Sequence, residues 1–303
     1  MLTTVPVADV AASSQGTSVP DIADGGGWTT EVLLVNTTDA VETGMVQFLS
    51  ASGQKMNVTV SGQSGDQFSY SIPAHSSRRF KTSGGGSTPT SGWIEISPTG
   101  NTRPPSVTGV LAAKVNNVTV SETSVVGSTA TNSVRLPAEL SGNFSAGEPL
   151  STQTGFVISN PGSASVNVTV EATNPDGTLK GTATPISVPA RGQVGMLLGS
   201  VAGLSLSAPF TGTLWITAPA GSSIAVTGMR ARYTDRQAPD LLFTAFPAVD
   251  EASVQPSLAV FPQIVGSGGY STQFVMTGVR GGQSSGTLQF LSQAGQPLPL
   301  FIH

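Results

Sequence analysis

Residues 19–36, with the sequence VPDIADGGGWTTEVLLVN, decide the fold because they return 242 residues later. Residues 261–278 read FPQIVGSGGYSTQFVMTG, and the match continues to the end of the chain without a gap. Across residues 19–61 and 261–303, 12 of 43 positions are identical. Similarity at a fixed offset is the sequence signature of a repeated structural unit.

A more divergent copy lies between these two. Residues 154–160, TGFVISN, match residues 30–36, TEVLLVN, and the motif Ile72-Pro73-Ala74 returns as Val188-Pro189-Ala190. The spacing predicts four segments. They are the last strand of a preceding module plus a linker (1–18), a first module (19–135), a second module (136–260) and the first strands of an incomplete third module (261–303).

Alternation of polar and apolar residues predicts short strands throughout. The run Phe68-Ser69-Tyr70-Ser71-Ile72 is one example, and turn residues such as Asn174-Pro175-Asp176-Gly177 separate such runs. Seven or eight short strands in about 120 residues indicate an all-β fold of tandem antiparallel, immunoglobulin-like β-sandwich modules. The predicted core residues are Val32, Leu34, Phe48, Phe68, Tyr70 and Ile94 in the first module, and Phe156, Ile158, Val168, Val170, Leu214 and Ile216 in the second.

Composition excludes several classes of function. Only 10% of the residues are charged and the formal net charge is −4, which argues against binding to nucleic acid. The chain has no cysteine and two histidines, His75 and His303, so thiol chemistry is excluded and histidine-based catalysis has little to draw on. We therefore expect a protein that is not an enzyme, binds no cofactor and does not insert into a membrane.

The opening of the unit resembles a known type of sequence. Residues 20–36, PDIADGGGWTTEVLLVN, and the strand motif Gly-x-x-Gln-Phe at Gly44–Phe48 are similar to a unit repeated in large exported bacterial surface proteins. The resemblance implies immunoglobulin-like modules without an assigned activity, and it carries over no catalytic or binding residue. It also implies an extracellular or cell-surface location, with an export signal that is not in this chain.

Candidate ligand contacts are few, and each has a structural alternative. The aromatic side chains Trp28, Trp93, Trp215 and Tyr270 could stack on sugars or on a partner protein, or could cover the edges of their own sandwiches. Asp21 and Asp24 precede three glycines and could bind Ca²⁺, or belong to a plain glycine turn. His75 lies beside hydroxyl residues, but the matching loop has Arg191 in its place, which favours a solvated turn over a catalytic one.

The apolar patterns at the two ends of the chain predict association with another module or another chain. The N-terminal apolar residues Leu2, Val5 and Val7 match the last strand of a module. The inward positions of the third copy, Phe274, Met276, Leu288 and Phe290, would leave an open apolar face. The chain is then either a piece of a longer array or a subunit joined by strand donation.

Two hypotheses of function follow from these patterns. In the first, the chain is a structural or display module of an extracellular repeat array, with neighbouring modules or like subunits as its partners. In the second, it is an adhesin-like module that binds a glycan or a host protein through loop aromatics.

Overall fold

The computed structural model describes residues 17–236, 240–253, 259–265, 272–278 and 285–298. It confirms the all-β class, because strands form 53% of the described residues and helix only 2%. The described helices are two 3₁₀ turns, Phe144–Ala146 and Leu198–Ser200. By compactness the chain divides into two units, Met1–Ser257 and Leu258–His303.

Ten strands build the first half of the larger unit, residues 18–126. They are β1 (Ser18–Asp24), β2 (Trp28–Val35), β3 (Glu42–Ser50), β4 (Val58–Val60), β5 (Gln63–Gly65), β6 (Gln67–Ile72), β7 (Ser77–Lys81), β8 (Thr90–Pro98), β9 (Ser106–Val115) and β10 (Val118–Val126). Two four-stranded antiparallel sheets, β1-β8-β3-β6 and β10-β9-β2-β7, enclose one apolar core, and β4 and β5 form a separate hairpin.

Ten further strands build the second half, residues 133–250. They are β11 (Ser133–Ser141), β12 (Thr152–Ser159), β13 (Val166–Thr173), β14 (Leu179–Thr182), β15 (Ile186–Val188), β16 (Gln193–Leu197), β17 (Phe210–Thr217), β18 (Ala225–Tyr233), β19 (Leu241–Pro247) and β20 (Val249–Asp250). These strands enclose a second apolar core, separate from the first. Short pairing between β11 and β12 joins its two layers into one continuous sheet.

The pairing order of the strands is the same in both halves. In the second half, β11 pairs with β17, β17 with β13 and β13 with β15, as β1, β8, β3 and β6 pair in the first. The other layer, β19-β18-β12-β16, has the order of β10-β9-β2-β7. Both halves are thus β-sandwich-like, with the same strand neighbours.

The predicted core positions are buried with one exception. Val32 and Leu34 are fully buried on alternate positions of β2, as a strand with one face in the core requires. Eleven of the twelve predicted core residues are buried, and Phe68 is half-buried. Phe68 lies at the margin of the first core, where its ring meets Phe48 edge-on at 5.8 Å between centroids.

One asparagine holds the same position in each half. The Asn36 side-chain amide donates hydrogen bonds to the carbonyl oxygens of Ala40, Ile72 and Pro73 at 2.7–3.1 Å. The amide of Asn160 donates to the carbonyl oxygens of Ala164, Val188 and Pro189 at 2.8–3.3 Å. Both asparagines are almost fully buried. Each ties the end of a central strand to two neighbouring loops.

Local hydrogen bonds also recur in the smaller unit. The Thr30 hydroxyl bridges the backbone N–H and C=O of Ala23, and the Thr272 hydroxyl bridges those of Val265 in the same way. The backbone carbonyl oxygen of Ser50 accepts a hydrogen bond from the backbone N–H of Gly53, and the same bond joins Ser292 and Gly295. These positions are 242 residues apart, the offset of the sequence match. The described part of residues 259–298 contains an isolated bridge between Leu291 and Pro297 and no strand.

Candidate functional site: the junction between the two halves

Arg191 makes the central contact between the two halves of the larger unit. Its two terminal nitrogens donate to the two carboxylate oxygens of Glu95 at 2.9 and 2.8 Å, and one of them also reaches Gln47 Oε1 at 3.2 Å. Arg191 is at the tip of the loop between β15 and β16, with a positive φ of 57°. Both partners are largely shielded, with side-chain exposures of 31% and 21%. A two-pronged arginine–carboxylate pair fixes orientation as well as distance.

Trp93 packs against Arg191 in this ion pair. Its side chain is fully buried, and its indole N–H donates to the Arg191 carbonyl oxygen at 2.8 Å. The Arg191 guanidinium lies 5.7 Å from the centre of the indole ring, within the range of a cation–π contact. Trp93 therefore has no exposed surface to offer to a sugar or another ligand.

Gln193 ties the same loop to β1. Its side-chain amide donates to the Pro20 carbonyl oxygen at 2.8 Å and to the Asp21 carboxylate at 3.2 Å. The register of β1 against β8 shifts between Val19 and Ile22, so Pro20 and Asp21 form a bulge. A bulge re-aims side chains locally, and here it directs a carbonyl and a carboxylate to the second half.

Asp21 also lines a small apolar cavity of about 180 Å³ at the junction, together with Trp28, Leu111, Met229 and Phe243 among others. Burial raises the pKa of Asp21 from 3.8 to about 7, and the hydrogen bond from Gln193 lowers it by a smaller amount. A carboxyl group with this pKa changes charge near neutral pH. The junction therefore contains an acid whose protonation is coupled to its packing.

Two hydroxyl side chains close the edge of the second half. The backbone N–H of Phe243 donates to the Ser121 hydroxyl at 3.2 Å, and that of Ala245 donates to the Thr123 hydroxyl at 2.7 Å. Ser121 and Thr123 lie on β10 and are buried, whereas β19 is the last strand of its sheet. Exposed N–H groups on an edge strand invite unwanted pairing, and these hydroxyls bind two of them.

β12 is covered on both of its faces. All eight of its residues are buried, including Val157, whose side chain faces away from the core residues Phe156 and Ile158. The corresponding strand of the first half, β2, is fully buried only at every second position from Thr30 onward. The outer face of β12 lies toward β1, which contacts both β12 and β18.

Sequence reasoning did not find the junction residues Gln47, Glu95, Arg191 and Gln193. One available signal was the replacement of Pro73-Ala74-His75 by Pro189-Ala190-Arg191. A second was the continuous apolar run at residues 155–158, GFVI, because a strand covered on both faces loses its alternation.

The other aromatic candidates are placed differently from Trp93. Trp28 is half-buried and packs against Phe243, with 6.1 Å between ring centroids. Trp215 is half-buried, and its indole N–H donates to the Ser133 hydroxyl at 2.8 Å. Tyr270 lies outside the described residues. A ligand-contact role remains a prediction for these three residues.

The acidic and histidine candidates stand apart from one another. Asp24 accepts a hydrogen bond from the Gly84 backbone at 3.0 Å, while Asp21 faces Gln193. His75 Nε2 lies 2.8 Å from the Asp39 carboxylate on the exposed surface. No group of three or more histidine or acidic side chains that could hold a metal ion occurs among the residues that the structure describes.

The predicted assembly residues are only partly described. Leu2, Val5 and Val7 lie outside the described residues. In the smaller unit, Met276 is 74% exposed and Leu288 is 39% exposed. Phe274 and Phe290 are half-buried, with 5.7 Å between their ring centroids. The apolar positions of this segment are thus partly open to solvent, and their role in assembly remains a prediction.

Comparison with known proteins assigns this chain to no family. No protein-family model matches the sequence, and no curated protein is significantly similar to it. In the described part of the chain, no helix has the length and apolar character needed to cross a membrane. The architecture and the junction are therefore the observations on which a function can be argued.

Proposed function

We propose that the chain is a non-enzymatic structural or display module of an extracellular repeat array, built from tandem immunoglobulin-like β-sandwiches. The shared strand order and the paired roles of Asn36 and Asn160 support an origin by duplication. The hydrogen bonds of Thr30 that recur at Thr272 extend this pattern to the smaller unit. The recurring side chains have a structural role, because each of them forms hydrogen bonds with backbone groups.

The Arg191–Glu95 pair is the observation that carries the proposal. A flexible linker between two domains needs no buried contact, whereas this junction combines a two-pronged ion pair, a buried tryptophan and hydroxyl groups bound to an edge strand. Such contacts fix one half against the other. A module that spaces or displays something on a surface requires this stiffness.

The rigidity can be measured because the chain has no cysteine. Spin labels on Gln63→Cys and Ser205→Cys, one exposed site in each half, should give a single narrow distance distribution by electron–electron double resonance. The control pair, Gln63→Cys with Lys114→Cys, has both labels in the first half and sets the width for a rigid body. A distribution between the halves that is several times wider would contradict a stiff module.

The cellular part of the proposal needs a separate test. Antibodies raised against the purified chain should label intact cells of the producing organism in immunogold electron microscopy. Labelling that occurs only after the cells are permeabilised would exclude a surface location.

Binding through loop aromatics is the second candidate function, and the partial exposure of Trp28 and Trp215 favours it. Intrinsic tryptophan fluorescence would then change on addition of a polysaccharide, and Trp215→Phe or Trp28→Phe would abolish the change. A structural module predicts no response across chemically varied glycans. The two functions therefore give opposite results in one experiment.

A further inference from the structure

A surface cavity of about 470 Å³ lies in the first half, beside the loop of residues 82–89 that joins β7 to β8. Residues 55–59 line its other side. The Ser83 backbone N–H donates to the Thr59 carbonyl oxygen at 2.8 Å, which holds the loop against this side. Small-molecule sites have volumes of about 300–1,000 Å³. We call this space the glycine-loop cavity.

The corresponding loop of the second half is packed with apolar side chains. β16 and β17 are the counterparts of β7 and β8, and the longer loop between them, residues 198–209, buries Leu198, Val201 and Leu204 in the second core. The loop of the first half has the sequence TSGGGSTP, without a leucine, valine or aromatic residue. The cavity is therefore a feature of one half, and the shared fold does not require it.

Four polar side chains of the cavity are available to a ligand. Asn57, Ser83, Thr88 and Thr90 line it and are exposed. Among the described residues, these four side chains have no hydrogen-bond partner. An amide group and a hydroxyl group can each both donate and accept hydrogen bonds. Together they match a ligand that carries several hydroxyl groups.

The charged groups of the lining are compensated within the chain. The Asp24 carboxylate accepts a hydrogen bond from the Gly84 backbone N–H at 3.0 Å, and the Lys55 ammonium lies 3.2 Å from the Asp66 carboxylate. A bound phosphate would face the carboxylate of Asp24, and a bound metal ion would face the ammonium of Lys55. Because like charges repel, the lining favours a neutral ligand.

The cavity also has an apolar part. Met56 and Val58 belong to its lining and are buried in the first core. Ligand sites commonly combine apolar surface with a few polar groups that fix the orientation of the ligand. A sugar ring has the same combination, since its hydroxyl groups project from a frame of C–H groups.

We propose that the glycine-loop cavity binds a neutral saccharide. The four unpaired side chains bind its hydroxyl groups, and Met56 and Val58 contact the C–H groups of a ring. No tryptophan is among the described residues that line the cavity, so this site is separate from the loop aromatics Trp28 and Trp215. The site goes beyond the proposed array function, because a module that only spaces its neighbours needs no ligand.

Nuclear magnetic resonance of the isotope-labelled full chain tests the site. The neutral probes are cellobiose, maltose, lactose and N,N′-diacetylchitobiose at millimolar concentration. At least one of them should shift the backbone amide signals of residues 55–59 and 83–88. Glucuronic acid and glucosamine, which carry a negative and a positive charge, should bind more weakly than that disaccharide.

Two asparagines with the same local sequence provide a matched pair of variants. Asn57 and Asn167 each begin the run Asn-Val-Thr-Val and are exposed, but Asn57 lines the cavity and Asn167 does not. Asn57→Ala should raise the dissociation constant of the disaccharide at least about tenfold. Asn167→Ala should leave it unchanged, and Thr88→Val, which removes one hydroxyl group, should also weaken binding. Circular dichroism establishes that each variant has kept its strands.

Three results would overturn the saccharide site. The first is that none of the four disaccharides shifts these amide signals, and the second is binding that Asn57→Ala and Asn167→Ala change equally. The third is a shift by the neutral peptide analogue N-acetylalaninamide in place of the sugars, which would assign the cavity to peptides. The spin-label distance between the halves does not depend on this cavity. Failure of saccharide binding therefore rejects the site alone, whereas a broad distance distribution rejects the stiff module.

Discussion

Arg191 and Glu95 join two apolar cores through a pair of parallel hydrogen bonds of 2.9 and 2.8 Å, although they are 96 positions apart in the chain. The Arg191 guanidinium lies 5.7 Å from the centre of the Trp93 ring, which is fully buried. Its geometry fixes the orientation of the two side chains as well as their distance, as the proposed stiff module requires.

Replacing Arg191 should therefore loosen the junction. We expect Arg191→Ala to lower the free energy of unfolding by about 1–3 kcal/mol, because it leaves the carboxylate of Glu95 without its main partner. Arg191→Lys should recover only part of this, since lysine cannot make the two-pronged bond. Urea denaturation measures both changes.

The matched control is Arg236→Ala, which removes an exposed arginine that forms an ion pair with Asp240 at 2.9 Å. Surface pairs of this kind contribute well under 1 kcal/mol. Equal losses from the two alanine variants would show that the Arg191 contact has no special role.

The stability of the protein should depend on the protonation of Asp21. Its pKa is about 7 in the folded chain and 3.8 without burial, so between these values the folded state binds more protons than the unfolded state. This contribution to stability is complete below pH 4 and is lost as the pH rises through 7. Its slope is at most about 1.4 kcal/mol per pH unit.

Asp21→Asn cannot titrate and should flatten this dependence. Urea denaturation at several pH values between 5 and 8 should give a falling free energy of unfolding for wild type and a shallower fall for the variant. Parallel profiles would mean that Asp21 does not carry the raised pKa.

Truncating Phe156 tests the second core. Phe156 is fully buried among Ile158, Leu214 and Ile216, so Phe156→Ala should cost about 3–5 kcal/mol in the free energy of unfolding. Asn167→Ala, at an exposed position of β13 in the other layer of the same half, is the control and should change it by less than about 0.5 kcal/mol. A loss below about 1 kcal/mol for Phe156→Ala would contradict the burial of this side chain.

The buried asparagines provide a paired test of the equivalence of the halves. Asn160→Asp replaces an amide that donates to three carbonyl oxygens by a carboxylate that repels them, so it should destabilise the protein more than Asn160→Ala. Asn36→Asp and Asn36→Ala should follow the same order. Thermal unfolding of the four variants measures this, and an opposite order at the two sites would refute the equivalence.

Local physics explains which parts of this structure were accessible from the sequence. Val32 and Leu34 were predicted to be buried because alternation along a strand depends only on which face meets a core. The burial of Trp93 was not predicted, since it depends on a loop almost one hundred residues away and on the orientation of one half against the other. The bulge at Pro20 and Asp21, which accepts the hydrogen bonds of Gln193, has no distinct sequence signal.

Comparing the turns at Gly53 and Gly177 distinguishes the cost of backbone strain from the cost of a clash across the junction. Gly53 and Gly177 share a positive φ, so Gly→Ala at either position places a side chain in the left-handed region and costs about 1–2 kcal/mol. At Gly53 the new methyl group would also clash with the Ala190 carbonyl oxygen, whereas at Gly177 it meets open space. We therefore expect Gly53→Ala to destabilise the chain clearly more than Gly177→Ala in urea denaturation.

Hydrogen exchange should locate the difference, because the backbone amides of Gln193 and Ala245 donate hydrogen bonds across the junction and should lose protection only in Gly53→Ala. Equal stability losses with unchanged protection of these amides would show that the close approach of Gly53 and Ala190 does not hold the two halves together.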